Sequence, residues 1–349
     1  MKEEILLRVL NGEALGASEA YTLMHALMSG EFTQAQMGAI LGVLRVRGEH
    51  KEELLGFARA MRDFATPFLL PAGCLAADNC GTGGDGRGTL NISTGAALLA
   101  FALGVPVVKH GNRSVSSRSG SADFLERLGF PIDLARTSME RLFAETGFAF
   151  LYAPLYHPAM RAVQGVRREL KVRTVFNILG PLTTPCSVAY KMVGVYDPKL
   201  LEPVAYVLSL LGVRRGLVVW GEPGVDEVSV SGKTRCLLVE KGRISPLTFH
   251  PHEVGFPEYP VEEIQGGDPA ENARLFLDIL SGEVRGAHRD TLVVNAAFLV
   301  WLSERARSIA EAVQKVEGAI DSGRALERVK ELLEVAQRMK EGEVHGGHS

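Results

Sequence analysis

The chain has 349 residues, of which 46% are hydrophobic, with 38 glycines and a formal net charge of −3. That size and composition fit a compact α/β enzyme of one large domain or two and exclude a disordered or low-complexity chain. The slight acidic excess gives no overall attraction to nucleic acid or to an anionic membrane, so any cationic site has to be local.

Met1-Lys2-Glu3-Glu4 begins a helix with acids, unlike a signal peptide. Residues 3 to 66 read as helices throughout. Ile5, Leu6, Val9 and Leu10 share one face, and Asn11-Gly12 stops that helix. Ser18 is expected to cap the next, Glu19 to Met28. Thr33-Gln34-Ala35-Gln36 matches the capping box, in which each side chain takes the other residue's free amide, and opens a third helix through Ile40, Leu41, Leu44 and Val46. A fourth runs from Lys51 to Phe64, and Thr66-Pro67 ends the run. Residues 1–66 therefore form a small all-helical domain. A helical segment around 160–182 is expected to join it. Its apolar surface exceeds what four short helices can hide from one another, which gives the expectation of a dimer contact.

Beyond Pro71 the pattern alternates. Strands are expected at Leu75 to Asp78, Val105 to Val108, Phe148 to Ala153, Tyr190 to Tyr196 and Gly216 to Trp220. Helices between them include Gly95 to Leu103, Ala122 to Leu128, Ser138 to Thr146 and Leu200 to Leu211. Such alternation implies an α/β domain, residues 67–341, with a mostly parallel central sheet flanked by helices. Val228 to Phe249, with turns at Ser231-Gly232 and Lys241-Gly242, reads as antiparallel additions at the sheet edge. Helices follow at Pro269 to Leu280 and from Leu292 to Met339, and 342–349 is expected to be a flexible Gly/His-rich tail. The longest apolar run, Leu292 to Leu302, is broken by Asn295 and is too short to span a bilayer, so a cytoplasmic protein is expected. Cys74, Cys80, Cys186 and Cys236 contain no C-x-x-C and read as reduced thiols.

The chemistry concentrates in Asn79 to Thr94. Five glycines occupy the eight positions from Gly81 to Gly88, where no side chain blocks the backbone. The stretch Asn91-Ile92-Ser93-Thr94 then runs into an apolar helix. Free amides and the positive end of the helix dipole at such a junction favour phosphate oxygens. Gly81, Gly83 and Gly86 satisfy G-x-G-x-x-G, but the helix starts too late, and no acid stands about 20 residues on for a ribose hydroxyl. A nucleotide P-loop would need Gly-Lys-Ser/Thr where Gly86-Arg87-Gly88 stands. A second polar stretch, Lys109 to Asp123, packs three cations, an imidazole and five serines before another helix. Two anion-ready loops in successive strand–loop–helix units point to a polyphosphate cradle on the sheet's carboxyl edge.

Here the sequence resembles the anthranilate phosphoribosyltransferase family. The motifs that carry the likeness are Gly81-Thr82-Gly83-Gly84-Asp85, Asn91-Ile92-Ser93-Thr94, Lys109-His110-Gly111-Asn112-Arg113 and Ser116 to Asp123. Further along stand Tyr156 to Met160, Val166 to Leu170, Arg173 to Thr183 and Gly224-Val225-Asp226-Glu227, all in the family's order. Departures are small: Arg118 stands where lysine is common, and Thr184 where asparagine is common.

The resemblance implies substrates, phosphoribosyl pyrophosphate and anthranilate, and a homodimer. It assigns the sugar diphosphate to Gly81, Gly84, Asp85, Thr89, Asn91, Ile92 (by its backbone), Ser93, Thr94, Lys109, His110, Gly111, Asn112, Arg113, Ser114, Val115, Ser116, Ser117 and Ser121. Anthranilate falls to Arg167, Asn112 and Gly81; helical spacing alone leaves Arg161, Arg167, Arg168 and Arg173 all open as the carboxylate's cation. Two magnesium ions are implied, one on Asp226 and Glu227 and another helped by the Ser93 hydroxyl. No dedicated general base is expected, because a neutral aryl amine can attack as it stands. Two other functions compete with this one. A pyrimidine nucleoside phosphorylase would share the architecture but usually has a different first glycine loop, and a non-catalytic nucleic-acid binder sits poorly with the acidic balance.

Overall fold

The structure, a computed structural model, describes residues 2–114 and 118–346. Helices α1 (Lys2–Leu10), α2 (Ala17–Met28), α3 (Gln34–Arg47) and α4 (Lys51–Asp63) come first. The Thr33–Gln36 capping box is present, with Gln36 N–H donating to Thr33 Oγ1 at 3.2 Å and Thr33 N–H donating to Gln36 Oε1 at 2.9 Å. Ser18 does not cap α2. The helix begins at Ala17, and Glu19 reaches back to accept the Gly16 N–H at 3.1 Å, so the longer side chain serves the helix start.

The rest runs β1 (Ala77–Gly81), α5 (Ile92–Ala102), β2 (Val107–Gly111), α6 (Ser121–Arg127), α7 (Arg136–Thr146), β3 (Phe148–Tyr152), α8 (Ala153–Tyr156), α9 (Arg161–Leu170), α10 (Val175–Leu179), β4 (Tyr190–Gly194), α11 (Leu201–Leu210), β5 (Arg215–Gly221), β6 (Thr234–Glu240), β7 (Arg243–Phe249), α12 (Pro269–Leu280), α13 (Ala287–Leu302), α14 (Ile309–Asp321) and α15 (Arg324–Gly346). Among the described residues they build a sheet of order β3-β2-β1-β4-β5-β6-β7. The first five strands in that order are parallel, and β6 and β7 add antiparallel at one edge. From β1 the chain winds to β2 and β3 on one side, then returns to β4 and β5 on the other. The β1/β4 crevice is therefore the topological switch point, where ligands of open α/β sheets collect.

One apolar core fills the sheet face covered by α5 and α13, through residues such as Leu99, Phe148, Phe276 and Phe298. A second joins the opposite face to the helical domain: Val193, Val204 and Val218 share a cluster with Leu23, Leu44 and Phe57, and with Val163, Val166 and Phe176 of α9 and α10. Much of the four helices' apolar surface is thus hidden on the larger domain. Leu7 and Leu10 of α1 and Val46 of α3 remain 61%, 41% and 89% exposed.

Several boundaries differ from the sequence reading, for one reason. Strand β1 lies at Ala77–Gly81 rather than Leu75 to Asp78, and β2 carries Lys109, His110 and Gly111 beyond the apolar run. Helix α13 starts at Ala287, through buried Arg289, Asp290 and Thr291. In each case buried polar residues find partners inside the fold; Arg289, for example, donates to Glu317 at 3.0 Å and Asp321 at 3.1 Å. The helical stretch expected over Leu292 to Met339 is made of three helices, α13, α14 and α15. The expected tail is helical as far as Gly346, because the buried stripe Ala325, Val329, Leu332 and Ala336 anchors α15, and Gly342 alone does not end it.

Candidate active site

Three neighbouring parallel strands, β2, β1 and β4, each end in a glycine: Gly111, Gly81 and Gly194. The absence of a side chain is required at each. A Cβ on Gly81 would overlap the Asp226 carboxylate, one on Gly194 the Asp226 backbone carbonyl, and one on Gly111 the Ser121 hydroxyl. The loop after β5 can therefore fold back over the ends of β4 and β1 and seat its acids in the crevice.

The glycine loop leaves β1 at Gly81 and returns at the start of α5. That helix begins at Ile92, three residues before the position expected, so Ser93 and Thr94 lie in its first turn with Asn91 at the cap. The polar half of the motif is thus itself the helix N-terminus, at the dipole's positive end, where the Ile92 N–H donates to Leu90 O at 2.6 Å. Gly83 and Gly84 adopt φ of 66° and 76°, left-handed backbone that glycine enters without strain. The Gly83 N–H donates to Asp226 Oδ2 at 2.6 Å, and the Ser93 N–H to Glu227 Oε1 at 3.1 Å. Both carboxylates are thereby tied to the two ends of the loop. Thr89 pairs with Gln265 in an isolated bridge, and Gly266 N–H donates to Gly88 O at 2.8 Å, bracing the outer turn.

Asp226 and Glu227 are each 8% exposed, so the acidic pair is a buried one rather than a solvated turn. Burial, with the nearby Asp85 carboxylate, raises Asp226 to about 7. Burial and the Asp226 charge push Glu227 well above the ordinary carboxylate range. Asp85 Oδ1 accepts the Arg87 N–H at 3.1 Å, while its Oδ2 is buried with no hydrogen-bond partner among the described residues. An oxygen-only donor set short of positive charge fits a hard divalent cation such as magnesium.

Beneath the loop the strands carry paired polar groups. Lys109 is buried and donates to Asn79 O at 2.6 Å, and Asn79 Nδ2 donates to Ser93 O at 2.8 Å, so one residue links β1, β2 and α5. On the other face Asp78 accepts hydrogen bonds from Lys191 and Thr184, the latter at 2.6 Å. The flanking cations and hydrogen bonds hold Asp78 below the usual range although burial opposes this. His110 also faces inward: its ring lies 5.0 Å from that of His157, and its Nδ1 is 3.3 Å from Gly180 O. Burial pushes His110 down to about 3 and His157 to about 4, so both imidazoles are neutral at pH 7 and neither adds a cation. His110 Nε2 and both ring nitrogens of His157 make no hydrogen bond of ordinary geometry among the described residues.

The second loop closes the other side. Asn112 N–H donates to Ser121 Oγ at 3.2 Å, and Ser121 Oγ donates to Asn112 O at 3.1 Å. The Ser114 N–H is held by Asp123 at 3.0 Å. Arg113 is turned toward α6, where Asp123 and Glu126 occupy its guanidinium at 2.5–2.9 Å, so it reaches a ligand only by giving up those bonds. Asn91 ties the two loops together: its Nδ2 donates to Ser119 O at 3.1 Å, and its Oδ1 accepts from Ser119 Oγ at 2.8 Å and Asn272 Nδ2 at 2.9 Å. Val115, Ser116 and Ser117 lie outside the described residues.

Of the four arginines that spacing left open, Arg161, Arg168 and Arg173 are exposed and Arg167 is half-buried. The Arg167 guanidinium sits 5.1 Å from the Phe176 ring, burial lowers its pKa, and it has no acidic partner among the described residues. Arg173 lies instead over Tyr196 at 4.4 Å, against the backbone of Gly84. The reading from residue types missed Asn79, Asp78, Lys191 and Asn272. The one available signal was a lone lysine, Lys191, inside the apolar run Tyr190 to Tyr196.

Comparison with known proteins agrees with this layout. The family model described as "Glycosyl transferase family, a/b domain" matches residues 74–326, and "Glycosyl transferase family, helical bundle domain" matches residues 3–65. The chain is similar to the anthranilate phosphoribosyltransferase of Petrotoga mobilis, 44% identical over 94% of this chain and 95% of that protein. It is also similar to that of Moorella thermoacetica, 45% identical over 93% of this chain and 96% of that one. Among solved structures, anthranilate phosphoribosyltransferase from Thermus thermophilus superposes with a TM-score of 0.89 at 41% identity, covering 97% of this chain and 100% of that one. The Saccharomyces cerevisiae enzyme in complex with PRPP and Mg gives 0.87 at 28% identity, covering 96% and 99% of the two chains.

Proposed function

This chain belongs to the anthranilate phosphoribosyltransferase family, and from that premise we infer how its residues move a 5-phosphoribosyl group from phosphoribosyl pyrophosphate to the amine of anthranilate. The products are N-(5-phosphoribosyl)anthranilate and pyrophosphate, in the second step of tryptophan biosynthesis from chorismate. The observation that carries the reading is a glycine loop that enters the α5 N-terminus and is tied at both ends to two buried acids, Asp226 and Glu227; Arg167, without an acidic partner among the described residues, adds support.

The backbone of Gly81, Gly84 and Asp85, the first turn Ile92 to Thr94 and the side chain of Thr89 grip the diphosphate and ribose. From the second loop Gly111, Asn112, Ser114 and Ser121 border the same ligand, and the family pattern adds His110, Arg113, Val115, Ser116 and Ser117 to this set. Lys109 acts from below as a fixed charge, and Asn91 holds the two loops in register. The Arg167 fork takes the anthranilate carboxylate, which leaves the amine beside Asn112 and Gly81. Asp226 and Glu227 hold one magnesium ion and Ser93 helps hold a second; when bound, they supply charge that offsets the developing pyrophosphate. Proximity and charge stabilisation carry the reaction, since His110 and His157 are too weakly basic to act as general bases at pH 7. Attack opposite the leaving group inverts the anomeric carbon.

Loss of anthranilate fluorescence on adding the purified protein, magnesium and phosphoribosyl pyrophosphate tests this reading. Phosphate-dependent release of thymine from thymidine, with anthranilate untouched, would replace it with a nucleoside phosphorylase. A homodimer through the helical domain is part of the same proposal, and the exposed Leu7, Leu10 and Val46 support it. Sedimentation at micromolar concentration should give twice the chain mass; a monomer would reject the dimer.

A further inference from the structure

At the end of β7, on the sheet's antiparallel edge, three side chains gather that take no part in the active site. They are His250, His252 and Glu258, and their donor atoms all lie within 4.8 Å of one another. His250 directly follows β7, His252 lies in the 3-10 turn Pro251–Val254, and Glu258 follows before Pro260. His250 Nδ1 stands 3.4 Å, and His252 Nε2 3.5 Å, from the same oxygen, Glu258 Oε1. A tetrahedral zinc ion with bonds of about 2.0–2.1 Å holds its ligand atoms roughly 3.3–3.4 Å apart, so the carboxylate oxygen already stands at ligand spacing from both imidazoles.

Two details favour a shared cation over a shared proton. His250 Nδ1 is shielded from solvent yet makes no hydrogen bond among the described residues, although a carboxylate oxygen is only 3.4 Å away. The turn that sets the spacing is itself fixed, because the His250 N–H donates to Glu253 Oε1 at 2.8 Å and the two rings stack at 5.3 Å and 12°. Glu258 has no lysine or arginine partner among the described residues that would take its charge instead.

We propose that His250, His252 and Glu258 form a binding site for a divalent transition ion of the zinc class, with water in the fourth position. Two imidazoles and one carboxylate suit zinc, nickel or copper; magnesium prefers an all-oxygen shell, so this site is chemically distinct from the acids at Asp226 and Glu227. The bound ion clamps the end of β7 to the irregular segment beyond it, which leads into the 3-10 turn Val261–Ile264. That segment continues to Ile264, Gln265 and Gly266, whose backbone braces the glycine loop at Gly88 and Leu90. The site therefore stiffens a support of the active-site loop without touching the substrates.

The test is a calorimetric titration of the full chain with zinc chloride, with millimolar magnesium present to occupy the Asp226–Glu227 acids. Wild type should take up zinc at a site whose affinity falls at least tenfold in both His252→Gln and Glu258→Gln. Turnover with magnesium alone should be unchanged in both variants, which also shows that they fold. Cobalt should give visible absorption bands in wild type that both variants lose. Zinc binding equal to wild type in either variant, or no uptake by wild type at micromolar zinc, overturns the proposal.

Discussion

Replacing Arg167 with alanine separates a ligand-binding arginine from an ordinary surface charge. The guanidinium is half-buried against Phe176 and has no acidic partner among the described residues, so its desolvation is already borne by the free protein. A carboxylate arriving there completes a charge-assisted pair, and removing one member of such a pair costs about 2–5 kcal/mol. Because Arg167 keeps some exposure, the lower part of that range applies, about 2–3 kcal/mol, which corresponds to roughly a 30- to 150-fold loss of anthranilate affinity. Arg167→Lys retains charge but loses the fork, and should fall between the two. The sign of the stability change is a second readout. Deleting a partly desolvated charge with no acidic partner among the described residues should leave the melting temperature nearly unchanged or raise it, whereas an arginine paired for structure would lower it. Steady-state kinetics with saturating phosphoribosyl pyrophosphate and magnesium gives the first quantity and thermal unfolding the second. An unchanged KM for anthranilate, or a clear drop in Tm, refutes the assignment.

Asp226 and Glu227 give three further expectations. Asp226 titrates near 7 in the fold against an ordinary value of 3.8, so without metal the native state keeps a proton that the unfolded chain releases. Stability from this group is present below about pH 4 and is lost as pH rises toward 7; buried His110 and His157 act in the opposite direction over that window, so the difference in Tm between wild type and Asp226→Asn, measured in chelator, should decline across it, and magnesium should flatten that decline. Magnesium binding displaces that proton, so its affinity should weaken by up to about tenfold per unit as pH falls below 7, and a pH-independent affinity would count against Asp226 as a ligand. Asp226→Asn with Glu227→Gln should abolish most turnover at saturating substrates while circular dichroism shows an intact fold; near-normal turnover excludes the pair. Lys191→Met removes the cation from buried Asp78 under the sheet and should cost about 3–5 kcal/mol in denaturant unfolding, whereas a loss under about 1 kcal/mol would mean that Asp78 is held by Thr184 and its surroundings alone.

Motifs with a local mechanism were readable from the chain alone. The Thr33–Gln36 box and α12 at Pro269–Leu280 sit where residue chemistry put them, since each is decided by neighbours in sequence. Elements decided by distant partners were not readable. Asp78 reads as no more than the end of a strand and Asn79 as the start of a loop until Lys191, Thr184 and Lys109 are brought across the sheet, and Arg289 gives no sign of burial until Glu317 and Asp321 meet it. The same limit applies to the site. Nothing in the residue order places Asp226 and Glu227 under cover, because their burial depends on glycines at the ends of β1 and β4. Nor does it choose among the four arginines without the family resemblance, whereas differential burial now sets Arg167 apart. Arg113 went the other way: a cation in a polar loop reads as a phosphate ligand, and in the fold Asp123 and Glu126 occupy it.

The proposed function depends on the backbone from Gly81 to Thr94 holding the diphosphate as it leaves. A crystal soaked with phosphoribosyl pyrophosphate and magnesium examines this directly. The expected map has the diphosphate against that backbone and the first turn of α5, with metal density beside Asp226 and Glu227. A map with the same ligand well ordered elsewhere, and nothing between the glycine loop and those acids, would contradict it.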